Sequence, residues 1–323
     1  MLAISQDRYG GSEVLVYGEL PAPRLGRSQV RVAMAASSVN PRDLLVRAKK
    51  YQLQFLLRST PLILGSDVAG TVIEVDAQAS RFRVGDAVMG MKNPSSGLGC
   101  HASEVVIDER ALVHRPAQLS VREAGGLPLC GLTAWQALVR HGQLRAGQRV
   151  LVIGASGGVG TFAVQIAAAL GAEVVAVCSR VNHDWVRALG ASALGDYREP
   201  AYRDALGTFD VVFDTIGRDS LATTASMLRR RGRFVTTIPA PKHLAKSITT
   251  AVLGQLGANG PQVRTVMVTP DRGDLEALVG LVEAGRLRTV VDSVFPLAEA
   301  AHAHDRLATR RARGKVILEG VTG

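Results

Sequence analysis

The sequence predicts an α/β protein in which a doubly wound parallel sheet is joined to a second, β-rich domain. Over the first third of the 323 residues, short apolar runs are separated by turns rich in Gly, Pro and Asp, which is typical of a β-rich domain. From about Val121 onward, strand-like and helix-like runs alternate, as parallel strands with crossover helices require. A glycine-rich turn at 154–160 joins one of these strand-like runs to a helical one.

The β-rich part is predicted from four apolar runs and one turn. The runs are Val30–Ala33, Val68–Val75, Ala87–Met89 and Glu104–Ile107. The turn is Val84-Gly85-Asp86, which leads into a strand.

In the alternating part, strands are predicted from apolar runs and helices from apolar residues three or four positions apart. The predicted strands are Arg149–Ala155, Glu173–Ser179, Asp210–Ile216, Arg233–Ile238 and Arg264–Val268, with tail strands near Val290–Phe295 and Lys315–Glu319 that return to the first domain. The predicted helices are one with Phe162, Ile166 and Leu170 that ends at Gly171, two over Asp184–Leu189 and Ser220–Arg230, and one with Leu275, Leu278, Val279 and Val282 on one face that ends at Gly285. The segment 239–261 has weak periodicity and is a candidate for a mobile element over a site.

The length predicts two domains, because a domain has roughly 100–200 residues. We place the β-rich domain at 1–122 and 289–323 and the parallel-sheet domain at 123–288. The three cysteines are far apart and make no disulfide framework. The first residues lack the layout of a signal peptide, and no apolar run reaches about 18 residues, so we expect a cytoplasmic protein without a membrane span.

The net charge of +10 raises the question of a nucleic-acid partner. The arginines are scattered, with small clusters at 229–233 and 310–313, and no basic stretch carries interleaved aromatic residues. These features favour a basic surface over a nucleic-acid site.

The glycine-rich turn has the properties of a dinucleotide-binding loop. It runs Gly154-Ala-Ser156-Gly157-Gly158-Val159-Gly160, between a predicted buried strand and a helix. Gly154 permits a tight turn, Gly157 and Gly158 let the backbone approach a pyrophosphate, and Gly160 lets the helix pack on the strand. The helix N-terminus attracts the phosphates. The alternative is a merely structural turn.

The residues after the second strand indicate which dinucleotide binds. NAD sites usually place Asp or Glu there to bind the ribose 2′-hydroxyl, whereas here Ser179, Arg180 and Asn182 follow Val177. A hydroxyl, a guanidinium and an amide suit a 2′-phosphate, so we expect NADPH. The alternative is that Arg180 is a solvated loop arginine.

Several motifs in order give the chain a family resemblance. It resembles the medium-chain dehydrogenase/reductase superfamily, specifically its zinc-independent quinone-oxidoreductase and enoyl-reductase-like branch. The resemblance implies a GroES-like β domain and a Rossmann domain, with the cofactor in the cleft between them. The motifs are 39–43 (VNPRD), 64–70 (LGSDVAG), 84–86 (VGD), 131–135 (GLTAW), the loop at 154–160, 189–191 (LGA) and 314–316 (GKV).

The resemblance also predicts that no zinc is bound. Zinc-dependent relatives use a Cys, a His and a second Cys; here Asn40–Asp43 surround the first position, Ser66 stands at the second and only Cys130 matches. One thiolate cannot hold a metal that needs three protein ligands, so we interpret Cys130 as a small buried hydrophobe.

Without a metal, hydrogen-bond donors must polarise the acceptor carbonyl and a proton must reach the developing enolate or phenolate. The resemblance suggests Asn40, Asp43, Arg47 and Tyr51 as catalytic candidates, with Tyr51 as a possible phenolic donor. The alternatives are a helix cap for Asn40 and Asp43 and a surface loop for Tyr51.

For the cofactor, the resemblance adds Thr133 near the nicotinamide and Tyr197 beside the adenosine phosphates. It also adds backbone contacts from Ile216-Gly217 and Ile238-Pro239, which end later strands. It implies a homodimer, with Arg264–Val268 as a candidate edge strand.

The function expected is an NADPH-dependent reductase that transfers hydride to a quinone or an α,β-unsaturated carbonyl compound. Two alternatives stay open. One is an enoyl-thioester reductase, whose coenzyme A or phosphopantetheine handle suits a basic surface. The other is a non-catalytic NADPH-binding regulator or RNA-binding protein.

Overall fold

The computed structural model describes residues 1–53, 61–93, 98–199, 202–237, 241–255 and 259–320. The chain divides into two compact units. The first unit is formed by Met1–Leu132, Thr269–Glu283 and Arg288–Gly323, and the second by Thr133–Val268 and Ala284–Leu287. The domain limits given by the sequence stay a prediction.

The strands and helices are named here in chain order. The strands are β1 (Leu2–Gln6), β2 (Val16–Glu19), β3 (Gln29–Val39), β4 (Leu62–Ile63), β5 (Asp67–Val75), β6 (Ala87–Met91), β7 (Glu104–Asp108), β8 (Leu112–His114), β9 (Arg149–Ile153), β10 (Glu173–Val177), β11 (Ala193–Gly195), β12 (Phe209–Asp214), β13 (Leu228–Thr236), β14 (Gln262–Thr265), β15 (Val291–Pro296) and β16 (Lys315–Glu319). The helices are α1 (Pro41–Arg47), α2 (Val121–Gly126), α3 (Pro128–Trp135), α4 (Gly158–Ala169), α5 (His183–Arg187), α6 (Tyr202–Leu206), α7 (Leu221–Thr224), α8 (Pro241–Gln255), α9 (Arg272–Glu283) and α10 (Ala300–Ala308).

The first unit is built on the long strand β3. Within the described residues, the strands β15-β16-β3-β5-β6-β8 lie side by side, β7 also pairs with β3, and β2-β1-β4 form a smaller sheet. Val30, Val32 and Met34 alternate inward from β3 into the core. Strand β16 pairs antiparallel with β3, with Val316 opposite Val39. This register brings Lys315, from the C-terminal tail, to the end of β3 beside Asn40.

The second unit is a parallel sheet, as predicted. Among the described residues its strand order is β11-β10-β9-β12-β13-β14, and every pairing is parallel. Strands β9, β10 and β12 are nearly continuous in apolar residues because both faces of the sheet are buried. The α/β fold class with a parallel sheet and a separate β-rich sheet is therefore confirmed.

The predicted helix Ser220–Arg230 is wrong over its second half. Helix α7 covers only Leu221–Thr224, a short 3₁₀ turn follows, and β13 starts at Leu228. Arginines are good helix formers, but Leu228 pairs with Phe209 on β12 and Arg229 forms an ion pair with Asp210, 2.7 Å away. Pairing with a neighbouring strand overrides the local propensity.

The segment 239–261, to which no element was assigned, contains the fifteen-residue helix α8. Its Thr249 and Thr250 hydroxyls donate to carbonyls four residues earlier, Ala245 and Lys246. Ser247 donates to the Val263 carbonyl at 3.1 Å, and Val263 N–H donates to Thr250 at 3.0 Å. The Ser247 and Thr250 hydroxyls thus bind α8 to β14. These polar contacts are consistent with the weak apolar periodicity of the segment.

Candidate cofactor and active sites

The glycine-rich loop lies between β9 and α4, where the sequence placed it. Gly154 and Ala155 N–H groups donate to the Val177 carbonyl of β10 at 3.0 and 3.1 Å, which anchors the loop to the neighbouring strand. Gly157 precedes the first residue of α4, so the first N–H groups of that twelve-residue helix point out of the loop. Such a helix terminus binds phosphate groups.

The glycines of this loop differ in what surrounds them. Gly154 has a φ of +83°, which disfavours any other residue. A β-carbon on Gly160 would overlap the Gly154 carbonyl oxygen, so Gly160 lets the helix pack closely on the loop. A β-carbon on Gly157 would meet only that same oxygen, at 3.5 Å, which is an ordinary contact. The open side of Gly157 fits a cofactor phosphate at this position.

The parallel sheet gathers most of the predicted cofactor residues at one edge. The loop follows β9, Ser179–Asn182 follow β10, Tyr197 follows β11 and Ile216-Gly217 follow β12. These four strands are neighbours and run in the same direction, so all four segments lie at the carboxyl edge of the sheet. Ligands of open α/β sheets bind at this edge.

The turn after β10 carries an exposed guanidinium, because 79% of the Arg180 side chain is accessible. The Asn182 side-chain oxygen accepts from Trp185 at 3.1 Å, which leaves its amide hydrogens for another acceptor. Asp196, directly after β11, was not among the predicted site residues, but its carboxylate accepts from Arg180 N–H at 2.9 Å. Hydrogen bonds from the Arg198 side chain hold the pKa of Asp196 far below its usual range. In the sequence, the only sign of this contact is that Asp196 precedes Arg198 by two residues.

The turn after β12 is fixed by Asp214, which is fully buried. Its Oδ1 accepts from the N–H groups of Ile216 and Gly217, at 2.8 and 2.9 Å, and its Oδ2 accepts from Asp219 at 3.0 Å. The N–H groups of Ile216 and Gly217, both expected to contact the cofactor, are thus bound to Asp214. Any cofactor contact from this turn is therefore made by its carbonyl groups or by the exposed Ile216 side chain. Ile238 and Pro239 lie outside the described residues, and Thr133 is buried on α3.

A buried polar cluster surrounds Asp67 in the first unit. The Asp67 carboxylate accepts from Leu129 N–H at 2.6 Å, from Asn40 Nδ2 at 3.0 Å and from the Ser38 hydroxyl. Lys315 Nζ lies 3.6 Å from the same carboxylate and donates to Asn40 Oδ1 at 2.6 Å. Burial opposes charge on Lys315, but neighbouring Cys130 and Asp67 outweigh it and raise the pKa of the ammonium.

Cys130 is buried, as predicted, but its side chain also contacts this polar cluster. Its Sγ is 3.2 Å from Lys315 Nζ and 3.6 Å from Asn40 Oδ1. Burial raises the pKa of its thiol, and the neighbouring Lys315 ammonium opposes that effect.

The residues at the three positions that bind zinc in relatives do not fit the metal. Asn40 Oδ1 receives the Lys315 ammonium, and the Ser66 hydroxyl accepts from Arg42 at 2.9 Å. The ammonium beside the one thiol would repel a second cation. Among the described residues, no group of three or more His, Cys, Asp and Glu side chains is arranged to hold a metal ion.

The four catalytic candidates occupy different environments. Asn40 is the N-cap residue of α1, and its N–H donates to Asp43 at 2.8 Å. Asn40 and Asp43 thus make the contacts of a helix cap, which was the alternative to a catalytic role. Both side chains are at most 2% exposed. Arg47 is buried at the other end of α1, and Tyr51 is half-buried against Val46, Leu62 and Leu64. The catalytic roles stay predictions.

A second buried polar group in the first unit consists of two histidines that were not among the predicted site residues. The rings of His101 and His304 meet edge to face, with centroids 6.0 Å apart, and both residues are fully buried. His101 Nε2 lies 3.2 Å from the Ser38 carbonyl. Burial, aided by His101 and Arg47, lowers the pKa of His304 well below its usual value. His304 is therefore neutral near pH 7.

Two family models match the chain. A zinc-binding dehydrogenase model covers residues 189–318, and an alcohol dehydrogenase GroES-like domain model covers residues 26–117. Within the part of the chain described, no helix has the length and apolar character needed to cross a membrane.

Individual relatives resemble the chain over nearly its whole length. It is 32% identical to the chloroplastic quinone oxidoreductase QR1 of Triphysaria versicolor, over 99% of this chain and 98% of that protein. The structure of a quinone oxidoreductase from Coxiella burnetii superposes with a TM-score of 0.89, at 30% identity and 99% coverage of both chains. The Escherichia coli quinone oxidoreductase complexed with NADPH gives a TM-score of 0.83, at 26% identity, over 99% of this chain and 100% of that one.

The likeness spans both units, and the glycine loop stands where a dinucleotide-binding protein of this kind needs it. The chain therefore belongs to the medium-chain dehydrogenase/reductase superfamily, in its quinone-oxidoreductase branch, and is an NAD(P)H-dependent oxidoreductase.

Proposed function

We propose that the protein is a zinc-independent reductase that uses NADPH to reduce a quinone or an α,β-unsaturated carbonyl compound. The observation that carries the cofactor choice is the turn after β10, where Arg180 is 79% exposed and no acidic residue stands between Val177 and Asn182. The substrate class is supported by the relatives that are named quinone oxidoreductases.

In this proposal each part of the cofactor has its own partner at the carboxyl edge of the sheet. The N–H groups of Gly158, Val159 and Gly160, with Ser156 beside them, hold the pyrophosphate. The planar fork of Arg180, with Ser179 and Asn182, binds the 2′-phosphate. Tyr197, 56% exposed after β11, lies beside the adenosine phosphates. Bound NADPH supplies the hydride.

The residues around Cys130 support zinc independence. The Lys315 ammonium, 3.2 Å from the thiol, supplies the positive charge there, and Asn40 and Ser66 are engaged with other residues. Elemental analysis of the purified protein is expected to find no stoichiometric zinc, and a chelator should leave the rate unchanged. Stoichiometric zinc lost together with activity would contradict this part of the proposal.

Without a metal, a proton donor must serve the reduced substrate, and Tyr51 is the best placed of the four candidates. Asn40 Nδ2 already donates to Asp67 and Ser38, and Asn40, Asp43 and Arg47 are each at most 7% exposed. Tyr51 alone of the four is half-buried, so its phenol has access to a bound molecule. Tyr51→Phe should lower kcat by about 10²-fold without changing the Kd for NADPH. Tyr9→Phe, in the same apolar cluster, should leave kcat unchanged.

The experiment that tests the proposed function follows NADPH oxidation with quinones, enones and enoyl thioesters as acceptors and NADH as the control cofactor. Turnover with quinones or enones and a preference for NADPH is the expected result. Turnover with enoyl thioesters alone would favour the alternative substrate class. Arg180→Asp should raise the Kd for NADPH strongly, whereas Arg187→Asp, also exposed, should change it much less.

We also propose that the protein is a homodimer that pairs through the edge of the parallel sheet. Strand β14 lies at the edge of the described sheet, close to the predicted Arg264–Val268. Ile248 and Val252, one helical turn apart on α8, are 68% and 48% exposed, and Met267 is 46% exposed. Such an edge strand with exposed apolar neighbours favours association. The cytoplasmic location stays a prediction.

Sedimentation tests the dimer. Replacement of both Ile248 and Val252 by Glu should give a monomer, whereas Val84→Glu, at an exposed valine of the first unit, should not. A monomeric wild-type protein would overturn the dimer and leave the reductase proposal untouched.

A further inference from the structure

A charged contact at the carboxyl edge of the sheet involves two residues that the cofactor assignment does not use. Asp196 follows β11 and is 4% exposed, whereas the Arg198 side chain is 55% exposed. Arg198 donates to the Asp196 carboxylate through Nη2 at 2.7 Å and Nε at 3.1 Å, and its own N–H donates at 3.0 Å. The pair is therefore a bidentate, charge-assisted contact.

The same carboxylate reaches the turn that is proposed to bind the 2′-phosphate. Asp196 Oδ2 accepts from the N–H of Arg180 at 2.9 Å, so the negative charge lies directly under that turn. Glu199 adds a second carboxylate, 3.9 Å from Arg180 Nη1. These two acids balance the two arginines. Without Arg198, the three groups that remain, two carboxylates and one guanidinium, would carry a net negative charge.

A negative charge at this place acts differently on the two nicotinamide cofactors. It repels the 2′-phosphate of NADPH, whereas the 2′-hydroxyl of NADH is neutral and can donate a hydrogen bond to a carboxylate. Acids at this end of a second strand are the usual means of selecting NAD. Asp196 comes from the third strand, but its contact with Arg180 N–H brings it to the same turn.

We infer that Arg198 is a determinant of cofactor specificity that works by neutralising Asp196 beneath the Arg180 turn. This inference rests on the proposed binding of NADPH. The Arg198 guanidinium binds the Asp196 carboxylate. Arg180 contacts that carboxylate only through its backbone N–H, so its guanidinium can bind the cofactor. Asp196 is then a positioning residue, which holds the turns after β10 and β11 together.

The test measures the Kd of NADPH and NADH, by quenching of protein fluorescence, for the wild type and three variants: Arg198→Ala, Asp196→Asn and the double variant. Arg198→Ala should raise the Kd for NADPH about tenfold, because an unpaired charge is left near the phosphate, and leave the Kd for NADH within about twofold. The double variant has neither charge, so its Kd for NADPH should return to within about threefold of the wild type. Thermal unfolding of each variant checks that it is folded.

Three outcomes would overturn the inference. A double variant as weak for NADPH as Arg198→Ala would mean that Arg198 contacts the phosphate itself. An equal effect of Arg198→Ala on both cofactors, or no effect on either, would mean that the residue has no part in selection. If Asp196→Asn fails to fold, the variants Arg198→Gln and Arg198→Glu are compared instead. The Kd for NADPH should then rise more for Arg198→Glu than for Arg198→Gln.

The proposed function and this inference fail in distinguishable ways. A wild-type protein without NADPH preference, together with an Arg180→Asp variant of unchanged affinity, contradicts NADPH binding by the turn. NADPH preference in the wild type that survives in Arg198→Ala contradicts the role of Arg198 alone.

Discussion

The ammonium group of Lys315 lies 2.6 Å from the side-chain oxygen of Asn40, although the two residues are 275 positions apart in the chain. The contact orients the Asn40 amide, so that its nitrogen donates to Asp67 at 3.0 Å. A residue that resembled a catalytic donor in the sequence thus joins the end of β3 to the C-terminal strand β16. The cation also lies beside the single thiol that remains from the metal-binding pattern.

This cluster predicts a large loss of stability when its cation is removed. Lys315→Met would leave the Asp67 carboxylate buried without a counter-charge, which costs about 3–5 kcal/mol in the free energy of unfolding. Urea-induced unfolding measures the change. The double variant Lys315→Met/Asp67→Asn should lose less than the single one, because the Asp67 charge that the single variant leaves without its cation is also removed. Lys246→Met, at an exposed position of α8, serves as the control; a similar loss in both single variants would contradict the prediction.

The histidine pair predicts that the protein is less stable in mild acid. The pKa of His304 is lowered in the folded state, so below its unfolded value of about 6.5 the unfolded chain takes up a proton that the folded chain does not. The resulting stability is present above that pH and is lost as the pH falls.

Between about pH 7.5 and about pH 5.5, His304 alone should lower the free energy of unfolding by about 1.4 kcal/mol. His304→Met should remove that part of the pH dependence, as measured by urea unfolding at both pH values. His302→Met, on the exposed side of the same helix, should keep it. A pH dependence that is identical in both variants would mean that His304 titrates normally.

The glycine loop predicts that two neighbouring substitutions act on different properties. Gly160→Ala would force a methyl group against the Gly154 carbonyl, so a loss of about 1–3 kcal/mol in stability is expected. Gly157→Ala meets no close atom, so the free energy of unfolding should change by less than about 1 kcal/mol. Its methyl group would stand where the pyrophosphate approaches, so the Kd for NADPH should rise.

Thermal unfolding and NADPH titration of both glycine variants separate these effects. The prediction fails if Gly157→Ala binds NADPH as the wild type does. It also fails if Gly160→Ala is as stable as the wild type, since the loop would then have room that its geometry denies.

By itself, the sequence determined the parts of this protein that depend on local patterns. Apolar runs and glycines specified the parallel sheet, the loop between β9 and α4, and the acid-free turn at Arg180, because strand burial and phosphate approach restrict residue types over a short stretch. Local patterns gave wrong predictions where contacts with residues distant in sequence determine the secondary structure. Leu228 begins a strand because it pairs with Phe209 of β12, and the hydroxyls of α8 bind β14.

Only the tertiary structure decided the side-chain contacts within the sites. Register between β3 and β16 brings Lys315 to Asn40, adjacent parallel strands bring Asp196 under Arg180, and α10 brings His304 to His101. Each contact joins residues from separate elements, so its charge and hydrogen bonds depend on where the chain returns. No local spacing encodes that return, because it is fixed by strand order and packing across the whole unit.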